Sequence, residues 1–372
     1  VTSKMDNGTR NQPRMPMRAV HDNYPIQSWK EMLLFSRFYF NEIPDLAVIY
    51  TPSITVNPLN HWGGLIVLIL AFGWPVQGSG QSGSASRLQT EMARVMAGRP
   101  GAVVALDVAT GKLLAQWNIT VAAQRLERPG STVKPFVLME LLRSGKVQPD
   151  QRLACRRPLY ISGHRMDCTH SPAVASLDAV DAIAYSCNSY FSTMALRMNA
   201  AELAQVFQRA GFTSPTGLAA GEAVGRIEPP QSQPKLQLQA LGDWGIQITP
   251  LELLFAYRTL ARQKLGSQKL DSQQQSSNPG FASAVFQGLE RSVLYGIAHA
   301  AQPTGTTAAG KTGTASGVNT IGSHGFFVGY APADKPEIVL LVYLEHGRGM
   351  DAAAVAAPVF TSYWKLWHGD GK

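Results

Sequence analysis

The chain has 372 residues, of which 45% are hydrophobic and 16% charged, with a formal charge of +8. That apolar content suffices for one large domain or two ordinary ones and excludes a disordered or collagen-like chain. The basic excess falls after residue 60, with no basic run interleaved with aromatics and no Gly-rich phosphate loop, so nucleic acid is excluded as a partner and an anionic polymer or headgroup surface fits better.

Residues 1–60 are punctuated by Pro13, Pro16, Pro25, Pro44, Pro52 and Pro58 and are expected to be irregular. The uncharged run from Gly63 to Trp74 follows, within a segment taken as 61–77. It is shorter than the roughly twenty residues a comfortable membrane span needs, and has the length of a signal-peptide core or a short, Trp-flanked anchor. Two readings of its position stay open: a true start nearer Val56, or a tail that precedes an anchor. A buried core helix is the plainer alternative. Residues 78–99 open on Gly, Ser and Ala and read as a cleavage region or flexible linker, leaving 100–368 as the main domain.

In that domain, Ala102–Asp107 and Leu113–Trp117 read as strands turning at Thr110-Gly111. A helix is expected just after Pro129-Gly130, through Leu142, stopping near Gly145. Helical pattern dominates 177–210. Thr249-Pro250-Leu251-Glu252 is a capping box with Pro at the first helical position, and predicts a helix through Leu260. The Ser/Gln-rich 266–280 reads as a surface loop, with helix again over 281–298. Strands at Gly325–Tyr330 and Glu337–Leu344 and a helix from Ala352 to Trp367 close the chain. The fold class is therefore α/β of the α+β kind: an antiparallel sheet flanked by helices, with a mainly helical insertion.

Three short motifs carry chemistry: Ser131-Thr132-Val133-Lys134, Ser186-Cys187-Asn188 and Lys311-Thr312-Gly313, followed by Thr314. A serine hydroxyl is a weak nucleophile until a neighbour takes its proton. Lys134, three residues on, shares a helix face with Ser131 and can act as that base if its pKa falls through desolvation and a nearby positive charge such as Lys311. The N–H groups of Ser131 and Thr314 would form an oxyanion hole. Ser186 relays a proton between Lys134 and a leaving amine. Asn188 holds Lys134 and the substrate backbone. Lys311 and Thr312 offer a cation and a hydroxyl to a carboxylate, and Gly313 lets substrate approach the strand. Each motif alone is weak, since Ser232-Gln233-Pro234-Lys235 and Ser276-Ser277-Asn278 match the first two by chance. At the former, Pro234 and the Pro229-Pro230 pair argue against a helix start.

Single residues have plainer readings. His324 reads as a strand-edge polar residue, Cys187 as a packed small side chain, and Trp364 and Trp367 as helix-to-sheet core. Cys155 and Cys168 either close a disulfide or are unrelated thiols. No C-x-x-C pair occurs, so no metal site is expected.

The order of these motifs, the segment Arg128–Phe136, Ser186–Phe191, Leu241–Leu251, Gly310–Ala315, Phe326–Pro332 and Ala357–Phe360 together resemble the penicillin-binding transpeptidases of the serine β-lactamase-like superfamily, over roughly residues 100–365. The resemblance implies a β-lactamase/transpeptidase-like fold and a D,D-transpeptidase acting on peptidoglycan stem peptides through an acyl-enzyme on Ser131. It implies catalytic roles for Ser131, Lys134, Ser186, Asn188 and Lys311, substrate contacts from Thr312, Gly313 and Thr314, β-lactams as covalent inhibitors, and no cofactor. It also implies an extracytoplasmic location, with membrane association through the N-terminal apolar segment. The alternatives are a D,D-carboxypeptidase or β-lactamase on the same fold, or a non-catalytic β-lactam or muropeptide receptor. Glu202, Glu222 and Glu228 lack the Glu-x-x-x-Asn setting of a class A β-lactamase.

Overall fold

The computed structural model describes residues 79–273, 282–317 and 322–369. All lie in the compact unit Gly73–Lys372; the second unit, Val1–Phe72, is outside the described residues, as are the expected irregular segment 1–60 and the apolar run 61–77. Among the described residues no helix is long and apolar enough to cross a membrane.

The first element corrects the sequence reading. Ser79–Met96, expected as a linker, forms helix α1. Its Gly/Ser-rich start has poor helix propensity, but Leu88, Met92, Val95 and Met96 recur at helical spacing and are buried, so tertiary packing overrides local preference. The hairpin of β1 (Gly101–Asp107) and β2 (Leu113–Trp117) follows as expected, its turn held by Thr110, whose N–H and hydroxyl each donate to Asp107 Oδ1 at 2.6 Å. After the short α2 (Ile119–Gln124), a 3-10 turn at Gly130–Val133 runs straight into α3 (Lys134–Arg143).

A segment of minimal strands comes next: β3 (Leu153–Ala154), β4 (Tyr160–Ile161), β5 (His164–Arg165) and β6 (Ser176–Leu177), paired β3 with β6 and β4 with β5. The helical stretch is divided into α4 (Ala179–Ala184), α5 (Asn188–Ala195) and α6 (Ala200–Arg209). Then come β7 (Arg226–Ile227), α7 (Gln233–Ala240) and β8 (Ile246–Gln247), which pairs with β7. Helix α7 is the second correction: Ser232 caps it, and Pro234 is tolerated in a first turn whose N–H groups have no helical partner anyway. Helix α8 (Pro250–Gln273) starts on the expected capping box but runs on into the segment expected as a loop.

The chain ends with α9 (Ser283–Leu294), β9 (Ala309–Ser316), β10 (Ser323–Ala331), β11 (Ile338–Leu344) and α10 (Gly349–His368). The five long strands form one antiparallel sheet in the order β2-β1-β11-β10-β9. Strand β11 is central and apolar at every position. Val339, Leu341 and Tyr343 point into one core and Ile338, Leu340, Val342 and Leu344 into the other. That is the period of two expected of a strand covered on both faces. Helices α1 and α10 cover one face; α3 to α8 build the larger core on the other. Strand β9 is left at the sheet edge beside the turn that carries Ser131.

Candidate active site

The turn Gly130–Val133 is clamped against β9. A side chain at Gly313 would place its Cβ 2.5 Å from the Pro129 carbonyl oxygen, and one at Gly130, whose φ is +54°, would meet the Thr314 carbonyl oxygen at 2.8 Å. Both positions therefore need glycine, one for contact and one for contact and backbone angle. The Thr132 hydroxyl donates to Pro129 O at 2.8 Å, and the buried Tyr257 hydroxyl donates to Thr132 O at 2.8 Å. The Lys134 N–H donates to Ser131 O, closing an i to i+3 turn in which side chains three apart eclipse one another. Ser131 is thus held at the mouth of α3, half-buried, one turn ahead of Lys134 and beside Gly313-Thr314.

Lys134 is fully buried. Its Nζ donates to Ser186 O at 2.9 Å, Ser186 Oγ at 3.3 Å and Asn188 Oδ1 at 2.6 Å. Burial pushes this ammonium down to about 8, against the raising pull of Cys168, Cys187 and Asp243. Ser186 has φ +54°, rare for a non-glycine residue, and this left-handed turn between α4 and α5 brings both its carbonyl and its hydroxyl onto Lys134. Asn188 opens α5, and its amide donates to Met166 O at 3.0 Å, tying the motif to the loop after β5. Lys311, also buried, is held well below its ordinary range first by desolvation and then by Lys134; its Nζ donates to Thr312 O at 3.0 Å. The structure therefore brings Lys134, Ser186 and Asn188 into direct contact and seats Lys311, Thr312, Gly313 and Thr314 on the strand that flanks Ser131. The chance match is elsewhere: Lys235 stacks its Nζ 4.6 Å from the Trp244 ring and bonds Gln231. Ser276 lies outside the described residues.

A cleft of about 470 Å³ adjoins these residues, lined by Arg128, His164, Arg165, Met166, Leu238, Asp243, Trp244 and Ser316. The sequence reading missed Asp243 as a site residue, although it quoted the segment that holds it. Desolvation raises its pKa, opposed by Arg128, Lys134, His164 and His324. His324 is no edge residue: it is 1% exposed, paired through Nε2 with Arg128 O at 2.7 Å, and its Nδ1 lies 3.6 Å from Glu127 Oε2. It braces the backbone that leads into the nucleophile turn.

Cys187, read from sequence as a packed small side chain, meets Cys155, Cys168 and His170, with all four ligand atoms within 4.8 Å of one another. The three cysteines are free thiols. The donors converge from separate segments, and the nearest spacing among them, Cys168-Thr169-His170, is not a C-x-x-C pair, so local spacing carries little signal of the cluster.

The model of the penicillin binding protein transpeptidase domain matches residues 101–364. Peptidoglycan D,D-transpeptidase FtsI of Buchnera aphidicola is 27% identical over 309 residues, covering 72% of this chain and 52% of the relative. Peptidoglycan D,D-transpeptidase MrdA of Acinetobacter baumannii is 27% identical over 368 residues, covering 75% and 52%. The chain thus spans about half the length of these curated relatives. The apo transpeptidase domain of penicillin-binding protein 3 from Burkholderia pseudomallei superposes with a TM-score of 0.66 at 20% identity, over 77% of this chain and 95% of that one.

Proposed function

The chain belongs to the penicillin binding protein transpeptidase domain family, and from that premise we propose that it is a D,D-transpeptidase-like acyltransferase acting on peptidoglycan stem peptides. The observation that carries this reading is Lys134: a buried amine with a lowered pKa, held by Ser186 and Asn188, one turn from a serine at a helix mouth.

Lys134, unprotonated, takes the Ser131 proton as Oγ attacks the carbonyl of the penultimate D-Ala. The oxyanion is met by the N–H groups of Ser131 and Thr314. Ser186 passes the proton to the departing amine, so the C–N bond breaks and D-Ala leaves, with the acyl group on Ser131. An amine of a neighbouring stem then attacks the ester and releases the serine. Lys311 and Thr312 hold the donor carboxylate, and Gly313 lets the peptide lie against β9, an edge strand with backbone groups to offer. A β-lactam follows the first half of this path and stays attached. We place the activity outside the cytoplasm, where its polymer is; an anchor in 61–77 belongs to this reading.

Incubation of the chain with a labelled penicillin, followed by peptide mapping, tests it. One label per chain on Ser131, released slowly, is expected, and Ser131→Ala abolishes it while keeping the native circular dichroism. Label on another residue, or none on folded protein, would overturn the assignment; rapid turnover would shift it to the hydrolase alternative.

A further inference from the structure

We propose that the cleft beside Ser131 is the subsite for the donor residue that precedes the D-Ala pair, and that Arg128 and Asp243 select there a side chain ending in a carboxylate and an ammonium together. This deepens the transpeptidase reading and rests on it. In that reading Lys311 and Thr312 take the donor's carboxylate, and the N–H of Thr314 takes its acyl oxygen. The donor therefore runs antiparallel to β9, from Lys311 towards Ser316, where the strand ends. Successive residues of an extended chain advance about 3.4 Å and point alternately to opposite sides. Thr314 and Ser316 are exposed, while Ala315 between them is buried. The residue before the D-Ala pair thus arrives beside Ser316, which lines the cleft of about 470 Å³.

Two walls of the cleft are fixed to the nucleophile turn. Arg128 stands three residues before Ser131, with its carbonyl held by His324 Nε2 at 2.7 Å. Asp243 follows Gly242, whose carbonyl accepts the Gly130 N–H at 3.0 Å. Gly242 has φ +78°, and a Cβ there would collide with the Gly130 carbonyl, so glycine is what lets the loop come this close. The Asp243 N–H donates to Leu238 O at 3.0 Å, and Gln239 Nε2 donates to Gly245 O at 2.9 Å. The carboxylate is thereby presented on a braced loop. Beside it the Trp244 ring, 4.6 Å from Lys235 Nζ, forms part of the same wall.

Of the described residues that line the cleft, Asp243 is the sole carboxylate, and Arg165 is already occupied by Asp167 Oδ2 at 2.6 Å. Among the described residues, neither Arg128 nor Asp243 is hydrogen-bonded or ion-paired through its side chain. Arg128 is the foremost of the charges that oppose the desolvation of Asp243, so the two stand within electrostatic reach without touching. A half-buried charge without a partner costs free energy, and a ligand charge of opposite sign recovers it. A side chain that ends in both charges satisfies Arg128 and Asp243 at once. One that ends in a carboxylate alone satisfies Arg128 and leaves Asp243 dehydrated and unpaired; one that ends in an ammonium alone does the reverse. Specificity then comes from the charge left over as much as from the pair that forms.

The test uses the full chain and cephalosporins that share one nucleus and differ in the acyl side chain. That of cephalosporin C ends in an ammonium and a carboxylate on one carbon; the glutaryl compound keeps a carboxylate alone; the phenylacetyl compound has neither. Second-order rates of Ser131 labelling are read by mass spectrometry and compared as ratios within one enzyme, which a general loss of reactivity does not move. Cephalosporin C is expected to label about 10- to 100-fold faster than the glutaryl compound, the worth of one charge-assisted hydrogen bond. Asp243→Asn is expected to bring that ratio close to one. Arg128→Gln is expected to slow both compounds about 10-fold or more against the phenylacetyl one. Equal rates for cephalosporin C and the glutaryl compound on the parent chain, or a ratio that survives Asp243→Asn, would overturn the subsite while leaving acylation of Ser131 in place. Failure of all three to label folded chain would remove the transpeptidase reading and the subsite with it.

Discussion

Lys134 carries most of the argument at the scale of single residues. An amine can serve as base only in its neutral form, and burial brings Lys134 down to about 8. Acylation of Ser131 is therefore expected to rise about tenfold per pH unit below that value and to level off above it. Lys134→Arg keeps a cation among Ser186 and Asn188 but stays protonated throughout this range. It is expected to lower the acylation rate by 10²–10⁴-fold and to remove the step near pH 8. Stopped-flow labelling across pH 6 to 10 checks both; a wild-type profile flat through pH 8 would remove Lys134 as the base. Ser186 is the second informative residue. Its left-handed backbone costs on the order of 1–3 kcal/mol, and the return is a carbonyl and a hydroxyl turned together onto one amine.

Helix α8 shows how one element is started and what its cap supports. Thr249 Oγ1 accepts from the Glu252 N–H at 3.1 Å, and Glu252 Oε2 accepts from the Thr249 N–H at 2.7 Å. Glu252 does more than cap: its Oε1 accepts from the buried Gly225 N–H at 2.8 Å, and desolvation raises its pKa. The two ends of the box should therefore differ. Thr249→Ala loses a cap, about 1 kcal/mol. Glu252→Ala leaves two buried donors without their acceptor, about 2–6 kcal/mol, at roughly 1–3 kcal/mol for each. Urea denaturation of both variants checks the order; equal losses would reduce Glu252 to a simple cap. The helix also presents Tyr257 to Thr132 O, so damage at its start is expected to slow Ser131 labelling as well.

Over the whole molecule, two cores on opposite faces of one sheet divide the labour. The face packed by α1 and α10 holds the sheet; the face packed by α3 to α8 carries Val133 and Phe136 and with them the nucleophile turn. Leu88→Ala, a fully buried change on α1, is expected to cost 2–5 kcal/mol of stability while leaving the labelling rate of the folded protein near that of the parent. Denaturation and labelling below the unfolding transition measure the two separately. A slowed labelling rate would show that the faces are coupled through β9 and β10.

Much of this was legible in the chain because it is local. The Thr110-Gly111 hairpin, the Thr249–Glu252 box, the short apolar strands and three motifs in a fixed order depend on neighbours a few residues apart, where turn chemistry, capping and periodicity act. Other features depend on residues that meet only after the chain has folded back on itself. Propensity argued against α1 and α7, yet a buried apolar stripe made one and a tolerant first turn allowed the other. Burial, and with it the basicity of Lys134 and Lys311, exists only once both lysines lie beneath a completed core. His324 became a buried brace because β10 lies inside the sheet, and four scattered donors, Cys155, Cys168, His170 and Cys187, became one cluster because the start of α5 packs against the loop between α3 and α4, where Ser189 bonds the Arg156 N–H and Cys168 Sγ. Sequence determined which chemical groups were available and in what order; only tertiary structure decided which of them lost water and met, because desolvation and contact between distant residues are properties of the packed chain.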